Sequence, residues 1–330
     1  MKITVLGAGS WGATLAVLLA DNGHKVTIWE FDAKRAEDLN NRKIKPFEDG
    51  VELPKGIAVT NILESVEAAE AVLFAVPSQH MRSTCVLLKG NGISLKGKLI
   101  MSATKGVENE TLLRMSEAIE DVFNGVYNDI AVLSGPSHAE EVCRKIPTVV
   151  TSASVSLETA EKCRNLFVND YFRVYTQDDI VGVEIGAALK NVFAVASGIV
   201  DGLKYGDNTK AAIVSRGLRE LVKIGVVLGG KEQTFYGLSG LGDLMVTCFS
   251  KHSRNRAVGQ AVGEGISWGE AQNRLGMIAE GVKNAVSAYE LGKKLNIELP
   301  IINEVYYVLF ENKKPVDAVN DLMKRDAKQE

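Results

Sequence analysis

The chain has 330 residues, of which 46% are apolar and 24% charged, a balance that suits a globular protein with a sizeable core and excludes extended disorder. That length exceeds what one hydrophobic core ordinarily organises, so two domains are expected. Its 38 Lys and Arg are offset by 41 Asp and Glu, a net charge of -3; no basic stripe speaks for nucleic acid, and any anion site must be local.

The chain enters a strand-like run at once, Lys2-Ile3-Thr4-Val5-Leu6, without the charged and apolar segments of an export signal. Through about Thr176, β-rich runs alternate with helical stretches: Ile3 to Leu6, Lys25 to Trp29, Ala71 to Val76, Leu99 to Ala103, Ile130 to Leu133 and Tyr171 to Tyr175. Such alternation implies βαβ units around a largely parallel sheet. Leu15, Leu18 and Leu19 recur at helical spacing between the first two runs, and Asn22-Gly23 supplies a helix stop. After about Ile180 the β-rich runs cease and helical patterns take over, broken near Gly229-Gly230, Gly265 and Pro300. The expected fold is α/β: an N-terminal Rossmann-type doubly wound sheet over residues 1–180, then a C-terminal all-helical domain over residues 181–330. The longest apolar run, around Val192 to Val200, is broken by Ser197 and Gly198 and falls short of a membrane span, so it reads as a buried helix. Cys85, Cys143, Cys163 and Cys248 are widely spaced with no C-x-x-C pair; reduced thiols in a cytoplasm are the expectation.

Gly7-Ala8-Gly9-Ser10-Trp11-Gly12 is a G-x-G-x-x-G turn directly after the first strand and opening the first helix. Backbone amides and the positive helix end there can hold a pyrophosphate, although the pattern alone also describes an ordinary tight turn. Glu30 follows Gly12 by 18 positions, near the offset at which a carboxylate accepts hydrogen bonds from the adenine ribose and repels a 2′-phosphate. This favours NAD over NADP, while Lys34 and Arg35 close by could accommodate a phosphate. Ligands of open α/β sheets lie beyond the carboxyl ends of the strands. Three small-residue turns sit there: Val76-Pro77-Ser78, Thr104-Lys105-Gly106 and Ser134-Gly135-Pro136-Ser137-His138-Ala139. Lys105 is either a ligand-facing cation or a solvated turn residue.

In the helical half, Glu184 to Val195 is apolar on nearly every face, and Lys190 is the only Lys or Arg between Arg173 and Lys204. A lysine so placed suits proton transfer, since desolvation or a neighbouring cation makes its neutral amine accessible; alternatively it pairs with a carboxylate such as Glu184 as a packing device. His24, His80, His138 and His252 sit beside turns. Cys248 and His252 could share a helix face, but two ligands do not make a metal site and no metal is expected. Phe235 to Asp243 is a second glycine-dense stretch that suggests a tight ligand wall. Ser253 can cap the next helix, placing Arg254 and Asn255 near its positive end, either as a phosphate seat or as a solvated basic helix start.

Taken in order, these motifs, together with Phe172-Arg173-Val174-Tyr175, Gly182 to Asn191, Gly206-Asp207-Asn208, Gly240 to Asp243 and Glu280-Gly281, make a specific match. The chain resembles bacterial NAD(P)-dependent glycerol-3-phosphate dehydrogenases from its first glycine turn to its last helices. The resemblance implies interconversion of dihydroxyacetone phosphate and sn-glycerol 3-phosphate with NAD or NADP, supplying glycerol 3-phosphate for phospholipid synthesis. It implies Lys190 as the proton-transfer residue, with Asn191, Asp243 and Thr247 around the reacting end and Lys105, Gly135, Ser137, Ser253, Arg254 and Asn255 on the substrate. On the dinucleotide it implies Gly7, Gly9, Ser10, Trp11, Gly12, Glu30, Phe31, Lys105, Ala139, Arg254, Ile278 and Glu280. Glu30-Phe31-Asp32 stands where bacterial members commonly carry a basic or histidine-bearing pair, which bears on NADP use, and Phe47-Glu48-Asp49-Gly50 replaces an aromatic-Leu-Pro loop, which bears on Phe47 as an adenine-side contact. Besides the small-molecule substrate, a homodimer is the expected partner. Two other readings stay open: a related β-hydroxyacid dehydrogenase with the same plan and helix lysine, and a non-catalytic NAD(P)-binding regulator, which would have no need of Lys190, Asp243 and Arg254.

Overall fold

The computed structural model describes residues 1–46, 52–276, 279–326 and 329. It divides into two compact units, one comprising Met1–Lys105 and Leu113–Glu184, the other Gly106–Leu112 and Ile185–Glu330.

The first unit is built on β1 (Lys2–Leu6), β2 (Lys25–Trp29), β3 (Ala58–Thr60), β4 (Ala71–Phe74), β5 (Leu99–Ser102), β6 (Ile130–Ser134), β7 (Thr148–Ala153) and β8 (Phe172–Gln177). These form one sheet in the order β3-β2-β1-β4-β5-β6-β7-β8. Neighbouring strands are parallel except β6 and β7. Alternate residues of each strand enter opposite cores: Val5, Ile28, Leu73 and Met101 join Leu15, Leu18, Leu19 and Phe167 on one face. Leu6, Trp29, Phe74 and Ile100 join Met81, Leu88 and Ile119 on the other. A sheet covered on both faces is the doubly wound plan, and its parallel central strands are continuous apolar runs for that reason. Strand order reverses at β1 and β4, which opens a crevice beyond their carboxyl ends.

The first helix, Ser10–Asp21, ends at Asn22 and Gly23, the latter at φ +84°, as the sequence indicates. Two strands escape periodicity. Ala58–Thr60 is a three-residue edge strand, and Thr148–Ala153 is threonine-rich and buried almost throughout, so neither shows the alternation that marks a half-buried strand.

Beyond β8 the elements of the described residues are all helices. The long helix Ile180–Gly202 is long and apolar enough to cross a membrane, yet its most apolar stretch is 94% buried within the fold; it is the core helix of the second unit. Around it, within that unit, lie the helices Asp207–Val227, Asp243–Phe249, Arg254–Gly263, Glu280–Lys294 and Pro300–Phe310.

Candidate active site

The glycine turn follows β1 directly. Gly7 has φ +108°, and a Cβ there would stand 2.7 Å from the Ala75 carbonyl oxygen; at Gly12 it would lie 2.1 Å from the Gly7 oxygen. Those two glycines let the turn fold back and the helix pack tightly against it. Gly9 differs, with nothing within 4 Å of its missing side chain. It is the N-cap of Ser10–Asp21 and, being glycine, supplies no side-chain cap, so the positive start of this helix is left open to a close-approaching anion on that side. The buried Nε1 of Trp11 lacks an acceptor among the described residues. The Glu30 carboxylate is held beside this turn, accepting from Ala8 N at 3.2 Å and Asp32 N at 3.3 Å. Arg35 lies 3.7 Å from it, and Lys34 is paired with Asp38 at 3.1 Å. Phe31, 76% exposed, meets Trp29 edge-to-face.

The turns after β4, β5 and β6 lie side by side because their strands do. Thr104 Oγ1 donates to the Val76 oxygen at 2.9 Å. Lys105 Nζ and Ser137 Oγ converge on the Gly135 carbonyl at 3.1 and 2.9 Å, and Ala139 opens the short helix beyond. Lys105, Gly135 and Ser137 therefore form one cluster in the first unit.

In the second unit, Lys190 and Asp243 are buried, 5% and 1% exposed. Lys190 Nζ donates to Asp243 Oδ1 and, at 2.7 Å, to Thr247 Oγ1. Thr247 Oγ1 in turn donates to the Asp243 carbonyl at 2.6 Å, one helical turn back. The group that Lys190 holds is thus a carboxylate, and that carboxylate is not Glu184. Glu184 accepts from Ser116 N at 2.8 Å and pairs with Arg114 in the first unit. The glycine-dense stretch before Asp243 is a π-helical turn, Leu238–Gly242, which delivers that carboxylate to the first turn of its helix.

Asn191 and Asn255 are joined by a hydrogen bond from Asn255 Nδ2 to Asn191 Oδ1 at 2.9 Å, and Asn255 Oδ1 accepts from Gly281 N at 2.8 Å. The backbone N–H of Gly281 can only donate, so it fixes the orientation of both amides. Glu280 sits beside this contact in the first turn of its helix. Ser253 caps Arg254–Gly263 by accepting from Arg256 N, which places Arg254 and Asn255 in the first turn. Cys248 and His252 do not share a helix, because the helix stops at Phe249; burial also pushes the Cys248 thiol up to about 12, away from the thiolate a metal needs.

Two family models describe this chain: NAD-dependent glycerol-3-phosphate dehydrogenase N-terminus matches residues 2–160, and the C-terminus of the same family matches residues 179–320. The glycerol-3-phosphate dehydrogenase (NAD(P)+) of Fusobacterium nucleatum is 49% identical over 100% of this chain and 98% of its own length. That of Clostridium botulinum is 46% identical over 100% and 99%. A crystal structure of glycerol-3-phosphate dehydrogenase from Coxiella burnetii matches with a TM-score of 0.91 and 35% identity, covering 98% of each chain. The chain belongs to the NAD-dependent glycerol-3-phosphate dehydrogenase family.

Among the residues expected from sequence to serve this family's chemistry, Gly7, Gly9, Ser10, Trp11, Gly12 and Glu30 come together at one turn. Lys190, Asp243 and Thr247 form a bonded triad, and Asn191 and Asn255 a bonded pair. Ile278 and Phe47 lie outside the described residues. Among the contacts that sequence reasoning missed are the amide link to Gly281 and the capture of Glu184 by Arg114. The second had a signal: residues six apart on a helix point about 120° apart, so Glu184 and Lys190 cannot share a face.

Proposed function

We propose that this chain is an NAD(P)-dependent sn-glycerol-3-phosphate dehydrogenase that interconverts dihydroxyacetone phosphate and sn-glycerol 3-phosphate and supplies the latter for phospholipid synthesis. The observation that carries the reading is the buried Lys190-Asp243-Thr247 triad in a chain matched to the family over nearly its whole length. When bound, NAD(P)H supplies the hydride to C2 of the ketone. Lys190 donates a proton to the oxygen that gains charge as the carbonyl is reduced, and takes it back in the reverse direction; Asp243 and Thr247 hold its Nζ in place. Asn191, its amide fixed through Asn255, offers N–H groups to the same end of the substrate. Arg254, in the first turn of a Ser253-capped helix, takes the phosphate by forked hydrogen bonds, with Asn255 beside it. Lys105, Gly135 and Ser137 are the first unit's contribution to the substrate.

The open space at Gly9 and the uncapped first-turn amides fit a pyrophosphate. Trp11 brings an unused donor and Phe31 an exposed ring for the adenine side, while Ala139, Glu280 and Ile278 complete the dinucleotide contacts by resemblance. Glu30 tilts the coenzyme towards NAD: its carboxylate is held at the end of β2, and Lys34 is already paired with Asp38. A cytoplasmic homodimer is the accompanying expectation; a solution mass of one chain would reject the dimer.

The test is the absorbance of NADH and of NADPH on adding dihydroxyacetone phosphate. Oxidation of the coenzyme with formation of glycerol 3-phosphate is expected, faster with NADH. Coenzyme binding without oxidation would instead favour a regulator.

A further inference from the structure

Apart from Glu184 and Asn191, the charged and polar side chains of the core helix Ile180–Gly202 lie along one stripe. Lys190, Ser197 and Asp201 are 7 and 11 positions apart from the lysine onward, which places their side chains within about 20° of one direction. Each bonds the segment that carries the reacting groups. Lys190 holds Asp243 and Thr247; Ser197 Oγ donates to the Cys248 carbonyl at 2.9 Å; Asp201 Oδ2 accepts from Arg256 Nε at 2.6 Å. The Arg256 guanidinium also reaches back to the Ser250 carbonyl at 3.4 Å, bracing the turn before Ser253. Beneath this stripe the two helices touch backbone to backbone: a Cβ at Gly198 would lie 2.0 Å from the Arg256 oxygen, and one at Gly259 2.1 Å from the Val195 oxygen.

We infer that Asp201 is a positioning residue for substrate phosphate, acting through Arg256 to fix the first turn from which Arg254 projects. The inference rests on the reading of Arg254 as the phosphate seat. Helix positions 254 and 256, two residues apart, point about 160° from one another, so the guanidinium tied to Asp201 is an anchor on the core side of the helix and not a second ligand arm. Lys210 shares the Asp201 carboxylate at 2.8 Å but belongs to the Asp207–Val227 helix, so it has no hold on the Arg254 turn. The tie also sets a length: the same rigid helix carries Lys190 at one end of the stripe and Asp201 at the other, so the distance from proton donor to phosphate seat is fixed by helix geometry.

The test compares dihydroxyacetone phosphate with dihydroxyacetone, which lacks the group the seat would hold. In Asp201→Asn, kcat/KM for the phosphorylated substrate is expected to fall about tenfold or more, mainly through KM, while kcat/KM for dihydroxyacetone and KM for NADH stay within about twofold. Arg256→Gln, which cuts the same tie from its other end, gives the same selective loss, and Asp201→Glu, which keeps the carboxylate, recovers much of it. Lys210→Met leaves the tie intact and shows no selective loss. Equal losses on both substrates, or unaltered kinetics in both tie variants, overturn the role of Asp201. Arg254→Ala separates the two readings: a loss that does not distinguish the substrates removes the phosphate seat itself, whereas a selective loss there without one in the tie variants removes only Asp201.

Discussion

Lys190 and Asp243 are a buried ion pair, and such pairs are poor evidence for stability: desolvating both charges offsets most of their attraction, yet removing one partner strands the other. Lys190→Ala is therefore expected to do two separable things. It lowers kcat by about 10² to 10⁴ through loss of the proton donor, and it destabilises the fold by about 3 to 5 kcal/mol because Asp243 is left buried and uncompensated. Adding Asp243→Asn should restore much of the stability and none of the turnover. Urea unfolding and steady-state kinetics on the single and double variants check this; recovery of turnover in the double variant would remove Lys190 from the chemistry. At the cofactor end, Glu30→Gln retains an acceptor for Ala8 N while deleting the charge that opposes a 2′-phosphate. It should raise the NADPH to NADH ratio of kcat/KM about tenfold, near 1.4 kcal/mol. An unchanged ratio would show that this carboxylate does not read the ribose.

One helix start in the second unit is completed from another helix. Pro300–Phe310 has no side-chain cap of its own; the amides of Ile301 and Ile302 instead donate to the two oxygens of Glu220, at 2.7 and 3.1 Å. Burial pushes the Glu220 carboxyl up from 4.5 to about 7, against the opposing pull of those two amides. The sign follows from proton linkage. Between pH 4.5 and about 7 the folded state holds this proton more tightly than the unfolded chain does, so the stability it contributes is full below that window and is lost as pH rises through it. A rise from 4.5 to about 7 makes this change of the order of 3 kcal/mol. Glu220→Gln keeps an acceptor but has nothing to titrate. The stability of the wild type relative to this variant should therefore fall between about pH 5 and about pH 8. Chemical unfolding at both pH values measures it, and a difference that stays constant with pH would mean that Glu220 does not titrate in this range.

On the scale of the whole chain, what could be read from sequence divides by range. The strands of the sheet's centre were legible because parallel strands covered on both faces are continuous apolar runs, and the glycine turn because its function constrains consecutive residues. Lys190 stood out as a cation in an apolar helix. Its partner came only through the family resemblance, since Asp243 lies 53 positions away and pairing at that range leaves no periodic trace; the pairings of Asn191 with Asn255 and of Asp201 with Arg256 leave none either. This division has a thermodynamic consequence. The glycine turn, Trp11, Glu30 and Phe31 all belong to the first unit, while Lys190, the proposed proton donor, belongs to the second, so coenzyme binding and turnover should respond to different substitutions. A ligand at 100 times its Kd stabilises the folded state by about 2.7 kcal/mol. NADH should therefore raise the melting temperature of Lys190→Ala about as much as that of the wild type, although the variant barely turns over. Gly9→Val, which puts a branched side chain into the open space before the first-turn amides, should abolish both the thermal shift and the activity. A Gly9→Val chain that still melts higher with NADH would place the pyrophosphate elsewhere.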